Sequence, residues 1–528
     1  MVTLVSETTN GYDAVVAGTH IVEGNVVVGN AADAIDSAIE DVTILVEGTV
    51  ASDNGAAIDL NAARDFAIIS FTGFLYGGTF GVALNSTEGG VVNNGMITSI
   101  DDGIWITGTD ATIENNGSIS SMTTFGLDID GASASVMNAG TITGISGVRV
   151  DGVGLHLENS GTIVGDNYGL DIQATGAEVQ NSGDILSANQ GVSFNGGNGS
   201  LVNSGTISSD LRAVYFGNDT ASNVEVTLVN SGEITALASA VVGVSGIVVV
   251  TNTGTISGGD TGIDTDTDTT LILDNAGTVV GTDQHAIDTG NMDDEVVNSG
   301  TILGAIDLAA GEDAIVNSGS ITGEIDLGQD ADLYLGRAGE VAGDVLGGDG
   351  DDFILGGAVG ESFYGGDDAD LVFAAGGDDF VYGDDGGDIL AGGAGDDQIF
   401  GGEGSDLIVA GEGSDILAGG GGFDYLYGEL GSDYFTFYEV TDSAVGGSRD
   451  VIADFEVGVD YIDLFPITAN LDFIGAAGFS ASGGAEIRVT NEGPVNSLVR
   501  FDADGDGSTD MEILLLNAQG LTAADFGL

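Results

Sequence analysis

Apolar residues recur along this chain with two periods, and each predicts short strands stacked on their own repeat. Through residues 1–340 the recurring phrase is an Asn, a Gly two places on and an Ile two places after that, as in VVNNGMITS, LENSGTIVG and LVNSGTISS. The glycines are Gly95, Gly117, Gly140, Gly161, Gly183, Gly205, Gly232, Gly254, Gly277, Gly300 and Gly319, spaced 19 to 27 residues apart and mostly 22 or 23. The Asn column runs from Asn93 to Asn317, and Val279 is the one exception in the Ile column. Half a period later comes a second apolar pattern: GIWI, GLDI, GVSF, AVYF. Short alternating strands parted by Gly and Asn turns at a fixed period predict coils of a right-handed parallel β-helix, about 4.8 Å apart. Each Ile then faces the core, and the Asn residues stack as an inward ladder in which every amide bonds to its neighbours.

From Gly347 to Thr436 the period becomes nine, without an insertion: GGDGDDFIL, GGAVGESFY, GGDDADLVF and seven more units. The sixth place holds Asp352, Glu361, Asp370, Asp379, Asp388, Asp397, Asp406, Asp415, Asp424 and Asp433. The eighth holds Ile354, Phe363, Val372, Val381, Leu390, Ile399, Ile408, Leu417, Leu426 and Phe435. A flexible glycine linker does not keep an apolar residue in register ten times. The pattern predicts a thin core of eighth-place side chains between glycine turns, with carboxylates at the turns. Such oxygen-rich turns suit calcium, a hard cation that takes six to eight oxygen ligands.

Charge sharpens this picture. The chain carries 84 acidic residues against 7 basic ones, a formal charge of −77, and every basic residue is an arginine. Such a surface repels nucleic acid and anionic membranes. Because 42% of residues are hydrophobic and fall in register, a folded chain is expected in spite of the charge, with cations neutralising it. There are no cysteines, so nothing here depends on disulfides. No apolar run reaches 18 residues, and the first residues lack the basic and apolar regions of a cleavable signal peptide, so neither a spanning helix nor such a signal is expected.

The nonapeptides resemble the calcium-binding repeats of RTX proteins. The tail resembles the C-terminal domain of serralysin-type secreted proteins, through Asp450-Val-Ile-Ala-Asp454-Phe455, Gly458-Val-Asp460, Ile462-Asp463-Leu464 and the closing Leu521-Thr-Ala-Ala-Asp525-Phe526. The resemblance implies an all-β chain in three parts: a parallel β-helix over 1–340, a calcium β-roll over 341–436, and a capping and secretion domain over 437–528. It implies several calcium ions on two edges. One edge is Asp352, Asp370, Asp388, Asp406 and Asp424; the other is Glu361, Asp379, Asp397, Asp415 and Asp433, with Glu361 the weakest member. Each ion would be shared by sixth-place residues two repeats apart and completed by carbonyls of the glycine turns. It also implies export by type I secretion machinery and folding by extracellular calcium. The resemblance does not reach the protease, whose zinc motif is missing here.

Elsewhere the chemistry is sparse. Facing outward on the second strand, one row reads Asp59, Ala83, Trp105, Asp128, Arg149, Asp171, Ser193, Tyr215 and, further on, Asp264, Asp288, Asp307 and Asp326. The last four suit a glycosidase-like carboxylate pair or a row of cation sites, but a solvated acidic face is the expectation. Trp105 and Tyr215 stand too far apart for one sugar platform. His20, His156 and His285 are scattered and expected at surfaces or turns. Asp502-x-Asp504-x-Asp506-Gly507 opens like an EF-hand loop, yet Ile513 stands where a bidentate Glu is required, so a tight acidic turn is expected. No catalytic constellation is recognised. The expected protein is a secreted, non-enzymatic calcium binder with a structural or adhesive role, meeting cell-surface polysaccharide or its own copies. The alternative is a polysaccharide-active enzyme using the helix face. A pore former is disfavoured, since no amphipathic or apolar membrane segment precedes the roll.

Overall fold

In a computed structural model the chain is all-β, and its described residues are 2–5, 12–14, 17–28, 33–217, 224–481 and 483–528. They form two compact units, 1–290 and 291–528. The one helical segment among them is a short 3-10 turn at Ala523–Phe526, and no described helix is long and apolar enough to cross a membrane.

In the first unit each coil holds three strands rather than the two patterns legible in the sequence. One coil is Gly90–Asn93, Met96–Ser99 and Ile104–Ile106, and the next is Thr112–Asn115, Ser118–Ser121 and Phe125–Ile129. All three pair in parallel with their counterparts in the next coil. The extra strand comes from the phrase itself, because the chain bends between Asn and Gly, leaving one strand before the bend and one after it. Only Gly fits there: a Cβ on Gly183 would lie 2.1 Å from the carbonyl oxygen of Gly161 in the coil beneath.

The inward Asn column is a hydrogen-bonded ladder. Asn93 Nδ2 donates to Asn115 Oδ1 at 2.8 Å, Asn115 to Asn138 at 2.7 Å, and the series continues through Asn159, Asn181, Asn203, Asn230 and Asn252 to Asn275. Most of these Nδ2 groups also donate to a backbone carbonyl, as Asn181 does to Gly183 and Thr206. The buried amides are therefore satisfied by the fold itself. Beside them Ile97, Ile119, Ile142, Ile163, Ile185 and Ile207 have no exposed surface.

The second unit keeps the stacking and shortens the coil. Its Asn column is Asn298 bonded to Asn317, 2.9 Å apart. Gly336 takes the next place, and the core there is filled by Tyr334, which has no exposed surface. From Phe353 onward two strand rows alternate, one through Phe353–Leu355, Leu371–Gly376, Ile389–Ala394, Leu407–Gly413 and Tyr425–Gly431. The other runs through Ser362–Asp367, Phe380–Gly386, Gln398–Gly404, Ile416–Gly422 and Tyr434–Thr436. All ten eighth-place residues are fully buried between them, each worth roughly 1.5–3 kcal/mol.

The tail caps this stack. Val451–Ile452 pairs on Tyr425–Gly431, and Tyr461–Asp463 pairs on Tyr434–Thr436. An antiparallel meander, Ala485–Glu492, Asn496–Asp502 and Met511–Leu515, joins the first of these edges through Met511–Leu515.

Candidate metal centre

The sixth-place carboxylates stand in two columns, one coil apart along each. In one column the backbone N–H of Asp352 donates to Asp370 Oδ1, Asp370 to Asp388, Asp388 to Asp406 and Asp406 to Asp424, each at 2.9 Å. In the other, Glu361 donates to Asp379, Asp379 to Asp397, Asp397 to Asp415 and Asp415 to Asp433, at 2.8 to 3.0 Å. All ten residues are buried, and Glu361 spends Oε2 on the N–H of Gly357. One oxygen of each Asp thus orders the stack. The other, Oδ2, has no hydrogen-bond partner among the described residues at Asp352, Asp370, Asp379, Asp388, Asp397, Asp406, Asp415 and Asp424.

A buried carboxylate oxygen without a donor is costly unless a cation compensates it. Burial, opposed in part by the N–H bond and reinforced at several places by neighbouring carboxylates, raises these groups: to about 8 at Asp370, about 7 at Asp379, Asp424 and Asp433, and about 6 at Asp352, Asp406 and Asp415. Asp388 and Asp397 are raised too, by burial first. The free oxygens lie against the glycine that opens each nonapeptide. A Cβ on Gly401 would come within 2.3 Å of Asp406 Oδ2, and one on Gly365 within 2.3 Å of Asp370 Oδ2. These donors are oxygens in rows, with room kept beside them, and they fit a hard divalent cation such as calcium.

That room gives a direct test. Gly401→Ala places a methyl group on the Asp406 oxygen and leaves every carboxylate in place. We expect calcium uptake in that column to weaken roughly tenfold or more, ~1.4 kcal/mol per tenfold, read by titration calorimetry on the full chain. Wild-type binding in this variant would contradict the assignment.

The columns reach beyond the residues found by sequence. Asp294, Asp313 and Asp332 precede Asp352 in the first, while Asp450 follows Asp424 and Asp460 follows Asp433. Asp450 is fully buried, has a free Oδ2 and is raised to about 8, by burial and then by Asp424. A signal for the upstream members was present: Asp313-Ala-Ile and Asp332-Leu-Tyr repeat the acid–any–apolar spacing of the nonapeptide.

The other sequence candidates land differently. The outward row is in register from Asp59 through Asp128, Arg149, Asp171 and Tyr215 to Val242, Asp264 and Asp288, and Asp307 pairs with Asp326 in the second unit. Trp105 does have an aromatic partner, one that sequence spacing did not show: Phe80 stacks on it with centroids 4.8 Å apart. The three histidines all lie in strands, and His20 is buried against Tyr12, whose hydroxyl is 2.8 Å from its Nδ1. The Asp502–Gly507 segment is a turn between antiparallel strands. Asp502 accepts from the N–H groups of Gly505 and Gly507, and Asp510 from that of Ala503. The carboxylates of Asp502, Asp504 and Asp510 approach within 4.8 Å of one another. Glu512 instead accepts from Arg449 at 3.1 Å and Arg500 at 2.7 Å.

Comparison with known proteins agrees with this layout. The RTX calcium-binding nonapeptide repeat matches residues 346–381 and 360–390, and the peptidase M10 serralysin C-terminal family matches residues 389–528. No curated protein matches the chain. Among solved structures, a subunit of the Azotobacter vinelandii mannuronan C5-epimerase is similar at 23% identity over 32% of this chain and 78% of that one, with a TM-score of 0.14. Residues 346–528 are therefore RTX calcium-binding repeats joined to a serralysin C-terminal region, and the chain that carries them is a secreted, extracellular protein.

Proposed function

We propose that this is a type I-exported RTX protein whose sixth-place aspartates hold several calcium ions, and whose β-helical unit serves as a structural or adhesive element at the cell surface or in the matrix. The observation that carries the reading is the double column of buried carboxylates, each with one oxygen committed to the stack and one left for an ion. Sites of this kind in extracellular modules bind at roughly 10⁻⁴–10⁻³ M, so they stay empty in a cytosol and fill outside. The adhesive part draws on the outward row Met137, Glu158, Gln180, Val202 and Val229 of the first unit, where Met137, Val202 and Val229 are exposed on an otherwise acidic molecule. Co-expression with a type I exporter is expected to move the chain into the medium, and calcium then to produce surface-bound or self-associated protein in light scattering. Equal release without the exporter, or a monodisperse chain that stays unbound at millimolar calcium, contradicts the proposal.

A second reading, a polysaccharide-active face, has one observation in its favour. Asp128 is only 6% exposed, with Oδ1 unpartnered among the described residues, and burial followed by Asp102 and Asp130 raises it to about 7. It lies between Trp105 and Arg149 in register, the latter placed over the Phe125 ring. A carboxyl poised near neutrality beside an aromatic platform suits general acid chemistry on a sugar. Reducing-end and unsaturated-uronate assays on calcium-loaded protein, with Asp128→Asn as the control, decide it. Activity lost in the variant favours the enzyme, and no activity in either removes it.

A further inference from the structure

We infer that the ion column begins two coils before the nonapeptide block, at Asp313 and Asp332, so that coils built on the longer repeat also carry calcium. This rests on the calcium reading of the nonapeptide carboxylates and extends it to residues before 346, where the family match starts.

Three features carry over together. The first is the ordering bond: the N–H of Asp294 donates to Asp313 Oδ1 at 2.7 Å, that of Asp313 to Asp332 Oδ1 at 2.7 Å, and that of Asp332 to Asp352 Oδ1 at 2.8 Å. These bonds span 19, 19 and 20 residues, against 18 inside the block, so the column is kept while the coil length changes. The second is the free oxygen. Asp313 and Asp332 are 2% and 4% exposed, and the Oδ2 atom of each is buried without a hydrogen-bond partner among the described residues. A buried carboxylate retained in that state points to a cation beside it, as it does further down the column.

The third is the turn before each acid. Gly348 and Gly350 have φ of 115° and 132°; the matching places upstream are Gly328 at 113° with Asp330 at 79°, and Ala309 at 63° with Gly311 at 136°. The same alternate positions enter the left-handed region even where Ala or Asp occupies them, a conformation that side chains resist.

One difference sets the affinity. The first place of the block is glycine, as at Gly347, where a Cβ would lie 2.3 Å from Asp352 Oδ2. Upstream that place holds Leu308 and Leu327, both fully buried. With less room beside the carboxylate, the upstream sites bind more weakly than the block, and they are the last to fill.

The test counts ions on the full chain. Wild type, Asp406→Asn and the double variant Asp313→Asn/Asp332→Asn are stripped of calcium and dialysed against a calcium series, and bound calcium is measured by atomic emission. Asn keeps the Oδ1 acceptor and removes the charge. The inference expects the double variant to lose at least one ion per chain, from the weakest part of the isotherm, and Asp406→Asn to lose calcium from the tighter part. A wild-type count in the double variant, with calcium lost in Asp406→Asn, overturns the inference and leaves the block's own sites standing. No loss in either variant removes the calcium reading as a whole. Should the double variant fail to fold, hydrogen exchange on the wild-type chain decides instead. Peptides covering 309–335 must gain protection at a higher calcium concentration than peptides covering 347–436. If 309–335 gains none at any concentration while 347–436 does, the inference fails.

Discussion

Removing calcium with a chelator is expected to melt the roll of the second unit and spare the first. Inside residues 352–433 every coil buries carboxylates whose second oxygen has no donor, and adjacent members of a column sit one coil apart. Two like charges at about 5 Å repel by several kcal/mol at an effective dielectric near 20. The apolar gain per nonapeptide is one side chain, roughly 1.5–3 kcal/mol. Without ions these terms oppose each other closely, and chain entropy favours unfolding. The first unit is built differently: its buried column is neutral asparagine, and each amide from Asn93 to Asn252 donates to the next coil. Circular dichroism in excess chelator is therefore expected to show part of the β signal lost and part kept, with full recovery when calcium is returned. Limited proteolysis in chelator should degrade the roll and leave a resistant fragment from within residues 33–290. An unchanged spectrum and an uncut roll in chelator would falsify the calcium-dependent fold.

Much of this was legible because a stacked coil repeats its chemistry at fixed intervals. The eighth-place residues, the Asn column and the two carboxylate columns follow from spacing alone, since a residue one coil later occupies the same environment. What spacing left out has physical causes. The strand before each Asn-Gly bend went uncounted because a single apolar phrase, such as VVNNGMITS, spans the corner and reads as one element. Asp313 and Asp332 were passed over because leucine stands where the nonapeptide places its first glycine, although the acid and the apolar residue two places later are both present. Phe80 and Trp105 are 25 residues apart in sequence, and their contact depends on where each coil turns its corner. Asp128 was visible as one acid in an outward row; that it is buried follows from neighbours on three successive coils, which no single period reports.

In calcium-free solution the melting temperature is expected to fall as pH rises from about 4 to about 8, and with saturating calcium the slope should reverse. The buried carboxyls set the sign. In the unfolded chain an Asp ionises near 3.9, whereas in the fold burial first, and neighbouring carboxylates next, raise Asp370 and Asp450 to about 8 and Asp424 and Asp433 to about 7. Between these limits the folded chain binds more protons than the unfolded one, so stability declines with rising pH. Protonation neutralises the columns and stands in for the missing ions, and the stabilisation it gives is complete below the unfolded value and gone above about 8. Calcium reverses the trend because it binds the ionised form: protons compete with it, so the loaded chain loses stability as pH falls through the same range. Thermal melts at pH 4.5 and 7.5, each with calcium removed and with millimolar calcium, make the comparison. The calcium-free chain should melt higher at 4.5 than at 7.5, and the loaded chain the reverse. A calcium-free chain that gains stability toward pH 7.5 would mean that the columns are already compensated within the protein, and the ion would then have no structural role to fill.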